Sequence, residues 1–196
     1  MSDAPLLAAV VVVAYVLGMF PTAQLVGRRL GFDPTTTGSG NPGASNTTRV
    51  GGMRAGATVL VGDAGKGMIA AGLGYAVDGR STAWIVGAAA VAGHVWPVTR
   101  RFRGGKGVAT AAGVAVVCAP LVSLGLAAVF GVVVKVAGKA ALGSLVIAVL
   151  MPVILALLGR DPVEVVAAAA VASAIIVRHR SNIGRLLSGT ESDLRS

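Results

Sequence analysis

The chain reads as an all-α integral membrane protein with seven transmembrane helices, its N-terminus outside and its C-terminus in the cytoplasm. Three observations carry that reading: an apolar composition, apolar stretches of span length, and a lopsided distribution of basic residues between the loops. Of 196 residues, 55% are hydrophobic and 13% charged, with a mean hydropathy of +0.80. That charged fraction is about half of what a soluble domain carries.

A helix that crosses the hydrocarbon needs about 20 mostly apolar residues. Residues 4–27, 55–77, 82–98, 107–136, 140–158 and 162–177 form such stretches. The fourth is too long for one upright crossing and contains Ala119-Pro120, where the missing N–H and the restricted residue before proline interrupt a helix. It therefore divides into spans 107–118 and 120–136. Charge then selects seven spans over six. With seven, 14 of the 17 Lys and Arg share one side: the loops 28–54, 99–106 and 137–139, the end of the fifth helix and the C-terminal tail. With six, the split is nine against seven. The positive-inside bias favours the first and makes that side cytoplasmic.

The start of the chain agrees, since Met1 to Pro5 holds Asp3 and no cation, unlike the basic n-region of a cleavable signal. The first stretch is read as a retained anchor, and residues 1–196 as a single multi-pass domain. Few aromatics and abundant Ala, Val and Gly imply spans packed through small residues, as in "GAAAVAG" at 87–93. The lone Cys118 lies in an apolar run, which excludes an internal disulfide and implies a buried, inert thiol. The net charge of +9 is mostly topology, with a share left for anionic ligands. Its cations are interleaved with spans, so nucleic acid is not an expected partner.

Three polar segments emerge on the basic side: "GSGNPGASNTTRVGG" at 38–52, "GHVWPVTRRFRGGKGVAT" at 93–110 and "RHRSNIGRLLSGTE" at 178–191. The other loops are two to four residues long, so one site assembled from all three is the economical expectation. The first segment fits G-x-G-x-x-G, but a dinucleotide loop must follow a strand and open a helix in a βαβ unit, and here membrane helices flank it. What survives is physical: glycines let N–H groups turn toward an anion, Ser39, Asn41, Ser45 and Asn46 add donors, and Arg49 supplies a planar cation. The bland alternative is a turn with helix-capping Ser and Asn.

"FRGGKGVAT" is not a Walker A loop, because Gly107 follows Lys106. Gly104, Gly105 and Gly107 around a lysine at a helix start still bring N–H groups, a dipole end and an ammonium together. Arg100, Arg101 and Arg103 read as headgroup-snorkelling anchors. Asp63 and Lys66 stand at i, i+3 inside the second span, where ionised groups are paired or functional. His179 and Asn182, also at i, i+3, share a helix face, while Ile183, Leu186 and Leu187 give the tail an amphipathic spacing. The tail's other reading is a basic lipid anchor. His94, before Trp96-Pro97, reads as a structural hydrogen-bonding residue. Two distant histidines and one cysteine make no metal site at recognisable spacing, and no Ser-His-Asp pattern is legible.

Taken together, the three segments resemble the bacterial acyl-phosphate-dependent glycerol-3-phosphate acyltransferases, the PlsY family. The first is similar to that family's G-S-G-N-x-G-A-T-N-x-x-R, and the second to G-H-x-(aromatic)-P followed by F-(K/R)-G-G-K-G-V-A-T. The third is similar to R-H-R-x-N-I-x-R-L-x-x-G-x-E, and "GDAGKG" at 62–67 to D-x-x-K-G. The likeness covers nearly the whole chain.

The resemblance implies a seven-helix enzyme of the bacterial cytoplasmic membrane, its site facing the cytoplasm. It would move an acyl group from acyl-phosphate to the 1-hydroxyl of sn-glycerol 3-phosphate, giving lysophosphatidic acid and phosphate. No cofactor, metal or obligate protein partner is implied. Ser39, Lys106, His179 and Asn182 would be catalytic. Asn41, Asn46, Arg49, Gly104, Gly105, Gly107 and Ser144 would bind substrate phosphate, with Asp63, Lys66 and His94 behind them. The chain departs from the family pattern at Met19, at Ser45 and over Gly138 to Ser144, where Lys139 and Ser144 are the nearest counterparts. The competing reading is a membrane carrier or channel for phosphorylated anions, which would be expected to show internal repeats and midplane polar sites.

Overall fold

The computed structural model describes residues 4–193, and every regular element among them is helical. Asp3 and Arg195, which entered the assignment of the termini, lie outside the described residues. The first apolar stretch, expected as one helix over 4–27, is two: α1 (Ala4–Gly18) and α2 (Thr22–Arg29). Pro21 causes the break, since it has no N–H to carry the ladder past Phe20. The Phe20 N–H bonds the Leu17 carbonyl at 3.1 Å instead, tightening the last turn.

Helix α3 (Ala44–Val95) runs for 52 residues in three limbs, 44–51, 53–77 and 80–95, kinked at Gly52 (φ 84°) and at Asp78 and Gly79 (φ 70° at the glycine). The second kink falls where the sequence places the turn between the second and third spans. The third limb ends at Val95 rather than 98, because Pro97 disfavours helical geometry at the residue before it. A 3₁₀ turn (Val98–Arg100) leads into the Gly-Gly-Lys-Gly loop. Then follow α4 (Val108–Cys118), α5 (Pro120–Ala137), α6 (Ala140–Leu157), α7 (Pro162–Arg178) and α8 (Arg180–Leu187). The expected division at Ala119-Pro120 is present, with Pro120 opening α5.

Three segments among the described residues are long and apolar enough to cross a bilayer alone: 4–29, Pro120–Ala137 and Ala140–Leu157. Helices α7 and α8 form a pair bent by 60° that would make a fourth, and α4 has only 11 residues.

Small residues bring the helices together backbone to backbone. A Cβ on Gly18 would lie 2.1 Å from the Ala90 carbonyl oxygen, and one on Gly93 would lie 2.0 Å from that of Tyr15. Only glycine permits α1 to lie this close to the last limb of α3. The main core gathers Trp84, Val91, Val95, Val114, Leu155 and Ile175 from α3, α4, α6 and α7. Helix α5 is peripheral. Leu126 is its one buried residue, while Leu121, Leu124, Val132 and Val136 present an apolar outer surface. At the end remote from the polar loops, Arg80 Nε pairs with Glu164 Oε1 at 2.8 Å and ties α3 to α7.

Candidate active site

The first polar segment is organised by one buried side chain. Asn46, 2% exposed, accepts from the Ser39 N–H at 2.8 Å. It donates to the Pro34 and Thr37 carbonyls at 3.0 and 2.9 Å. Its amide holds the loop together from inside, so its hydrogen-bonding groups, expected to position substrate oxygens, are committed to the chain. Gly38 and Gly40 take φ of 64° and 68° to make the turn around it. The loop offers Ser39 and Asn41 to the cavity, and the first turns of α3 offer Ser45, Asn46 and Arg49. The Arg49 Nε is buried with no hydrogen-bond partner in the protein, which suits a site that takes an anion.

The Gly-Gly-Lys-Gly loop differs from its expected role. The Gly104 and Gly105 N–H groups donate to the Val95 and His94 carbonyls at 3.1 and 3.2 Å, so they are not free to cradle a phosphate. Their carbonyls are held by Arg178, which donates to Gly104 at 2.7 Å and Gly105 at 3.2 Å. The two glycines are needed because a Cβ would meet the His94 carbonyl oxygen at 2.0 Å or its Nε2 at 2.2 Å. Gly107 (φ 84°) opens α4, whose first-turn N–H groups have no partner within the helix. Of the loop's members, Lys106 and Gly107 line the cavity.

Behind this loop lies a buried polar cluster. Lys66 Nζ is 2.9 Å from Asp63 Oδ1, 2.8 Å from His94 Nδ1 and 3.2 Å from the Phe20 carbonyl. Asp63 and His94 reach the cavity edge. Arg100, expected to snorkel outward, instead turns toward Gln24 at 3.5 Å and is half-buried, while Arg101 and Arg103 are exposed.

The tail completes the site. Lys106 Nζ donates to Asn182 Oδ1 at 2.5 Å, Asn182 Nδ2 to Glu191 Oε1 at 2.8 Å, and Arg185 Nε to Glu191 Oε2 at 2.8 Å. Lys139 donates to the Glu191 carbonyl, closing the tail onto α6. His179 is buried and its Nδ1 bonds the Ile175 carbonyl at 2.8 Å. A carbonyl only accepts, so Nδ1 carries the proton and Nε2 is left with a lone pair. Ser144 lines the cavity from α6 and donates to the Ala140 carbonyl at 2.9 Å.

Ser39, Asn41, Arg49, Lys106, His179, Asn182 and Ser144 therefore share one cavity of about 870 Å³, whose inner part is apolar. Four residues that matter here were not singled out in the sequence: Arg178, Arg185, Glu191 and Lys139 as a tail anchor. Glu191 carried a readable signal, being the one acid at the end of an otherwise basic segment. Arg178 carried only its place at the head of the third family pattern, because its partners are backbone carbonyls. Burial lowers the Lys106 ammonium to about 8, with Glu191 opposing and Arg185 and Arg49 adding to the fall. Burial likewise lowers His179 to about 4 and keeps it neutral at physiological pH, helped by Lys106 and opposed by the Ile175 hydrogen bond.

Such a cavity, with a cationic polar mouth and an apolar interior within a bundle of apolar helices, defines an integral membrane protein handling amphiphilic anions. The family model for glycerol-3-phosphate acyltransferase matches residues 8–189, and the chain belongs to that family. It is 42% identical over 185 residues to the glycerol-3-phosphate acyltransferase of Trichlorobacter lovleyi, covering 93% of this chain and 95% of that one. It is 41% identical over 190 residues to that of Geobacter sulfurreducens, covering 94% and 95%. Among solved structures it is similar to PlsY, an integral membrane glycerol 3-phosphate acyltransferase, in its glycerol 3-phosphate form. The TM-score there is 0.92 at 34% identity, over 95% of this chain and 94% of that one. The lysophosphatidic acid form of the same protein gives a TM-score of 0.86 at the same identity and coverage. The chain is thus an acyltransferase of phospholipid synthesis, built on the integral membrane fold of PlsY.

Proposed function

We propose that this enzyme transfers a fatty acyl group from acyl-phosphate to the 1-hydroxyl of sn-glycerol 3-phosphate. The observation that carries the reading is the meeting of Ser39, Lys106 and His179, from three distant segments, at one mouth that continues into an apolar groove. Both substrates are phosphates and one carries a long chain, so a single amphiphilic cavity accommodates them.

The glycerol hydroxyl oxygen attacks the acyl carbon, an ester bond forms, the bond to the phosphate oxygen breaks and inorganic phosphate leaves. An acyl-phosphate is a mixed anhydride with a good leaving group, so the chemistry asks chiefly for positioning and charge. Arg49 and Lys106 hold the phosphates. Ser39 and Asn41 bond substrate oxygens. Asn182, tied to Glu191, fixes the Lys106 ammonium. Gly107 and the first turn of α4 add N–H donors, and Ser144 leaves its oxygen open to a donor. The neutral His179 offers Nε2 to the attacking hydroxyl. Its proton goes to that nitrogen or to a phosphate oxygen of the substrate. His179→Ala separates the two: complete loss supports the nitrogen, and a modest fall with raised KM supports positioning.

The basic side of the chain supports seven spans with the site facing the cytoplasm of a bacterial cell, the short α4 being covered by its neighbours. Cysteines placed singly at Asp161 and Ser188, labelled in sealed inverted vesicles, should react from opposite sides. Same-side labelling would overturn the topology. The activity test is purified protein with palmitoyl phosphate and glycerol 3-phosphate in chelator, read as lysophosphatidic acid. Phosphate counterflow in vesicles with no acylated product would favour a carrier instead.

A further inference from the structure

We propose that Trp84 sets the acyl-chain length this enzyme accepts, its indole closing the inner end of the apolar groove against the terminal methyl of the chain. The inference rests on the acyl-transfer reading above and adds to it the residue that chooses among donors.

The groove has a measurable depth. His94 and Trp84 both line the cavity and sit ten residues apart on the last limb of α3, about 15 Å along a helix. On α6 the lining runs from Ala140 at the mouth to Met151, about 16 Å. Its walls are small residues, Ala111, Ala115, Ala148 and Ala172 among them, which leave room for hydrocarbon.

Past the innermost lining residues the walls made by α4, α6 and α7 close, while α5, whose innermost lining residue is Ser123, runs on to the exposed Leu121 and leaves that side to the bilayer. Val116 on α4 is followed by Cys118, 2% exposed; Met151 on α6 by Leu155, 0%; and Ala168 on α7 by Glu164, 1%. Trp84, itself 2% exposed, belongs to the same apolar cluster as Cys118, Leu155 and Ala168. Beyond that layer stands the Arg80–Glu164 pair, whose Glu164 Oε2 is buried without a hydrogen-bond partner. Hydrocarbon pushed into that region would strip the carboxylate further of polar surroundings, at a cost no methylene repays.

The side of the groove is open where its end is shut. Ala112 and Val116, one turn apart on α4, and Ala127 on α5 line the cavity yet are exposed. A donor thus slides in sideways from the bilayer while its tail is stopped from below.

The test compares kcat/KM for lauroyl, myristoyl, palmitoyl and stearoyl phosphate in the intact protein, Trp84→Ala and Ala168→Leu. Removing the indole should move the optimum to longer donors, changing the stearoyl-to-myristoyl ratio by about tenfold or more, as a mismatched methylene in an apolar pocket does. Enlarging a side chain beside the indole with Ala168→Leu should raise the floor and move the optimum the opposite way. Where Trp84→Ala does not fold, Trp84→Phe replaces it and should give a smaller shift of the same sign. An unchanged order of donors in folded, active variants overturns the proposal and means that the tail leaves sideways past Val116. Absence of turnover with every acyl-phosphate is a different result: it removes the donor reading, and the ruler with it.

Discussion

Two glycine-rich loops meet at the mouth of the cavity, and their backbones do different work. In the 38–43 loop, left-handed glycines turn the chain around the Asn46 amide, and the outward side chains, Ser39 and Asn41, reach the cavity. In the 104–107 loop the backbone of both paired glycines is spent within the protein, on the His94 and Val95 carbonyls and on Arg178. Glycine is present there because two segments approach too closely for a Cβ. The difference teaches that glycine near an anion site is no sign of an N–H cradle by itself. The cations that these two segments bring to the cavity are Arg49 and Lys106, and glycine supplies turning in one loop and thinness in the other.

The largest effect should come from removing the one charged side chain the second loop delivers. Lys106→Ala should lower kcat/KM by about 10²- to 10³-fold, the loss typical of one preorganised charge-stabilising donor, with normal expression and thermal midpoint. Near-normal turnover would show that the loop contributes backbone donors after all. Next comes Gly104→Ala, which puts a Cβ 2.0 Å from the His94 carbonyl oxygen. It should cost about 1–3 kcal/mol of stability through overpacking and lower activity by displacing Lys106. Gly184→Ala, with nothing within 4 Å, is the matched control. Equal melting of the two would refute the claim that close approach explains the paired glycines.

Much of the fold was legible because membrane helices obey coarse rules. Hydrophobic length placed the elements to within a few residues, and proline at 120 marked the α4–α5 break. The same chemistry at Pro21 gave no such mark, because residues 4–27 already have the length of one span and nothing in their length asks for a break. The meeting of three polar segments was legible from loop length and charge, since short loops leave little else to build a site from. Individual hydrogen bonds were not. The Asn46 amide looks the same in sequence whether it faces substrate or the carbonyls of its own loop. Arg178 works on carbonyl oxygens that every residue possesses. Arg100 has an outward-looking context and an inward-facing side chain, a choice settled by Gln24 from another helix.

Asn46→Ala sharpens the first half of the comparison. It leaves the Ser39 N–H and the Pro34 and Thr37 carbonyls without the partners they have now, which should cost about 1–3 kcal/mol for buried groups left unpaired. Because the amide's hydrogen bonds within the protein support the Ser39 backbone, KM for glycerol 3-phosphate should rise more than kcat falls. A pure kcat effect would return Asn46 to the reacting centre.

The smallest effect is a matter of pH, and it isolates the charge of the second loop without altering its shape. Lys106 is held at about 8 by burial and by its arginine neighbours, so its charge is present below that pH and lost as pH rises through it. kcat/KM, which reports the free enzyme, should therefore fall with a midpoint near 8. A bound phosphate favours the ammonium, so the limb in kcat should move to higher pH. His179, lowered to about 4, is neutral above that value and should set the acid limb there. Lys106→Arg keeps a charge that does not titrate in this range, and the alkaline limb should vanish even if the rate is reduced. Persistence of the limb in that variant would assign it to another group and would leave Lys106 without its proposed role as the site's titrating cation.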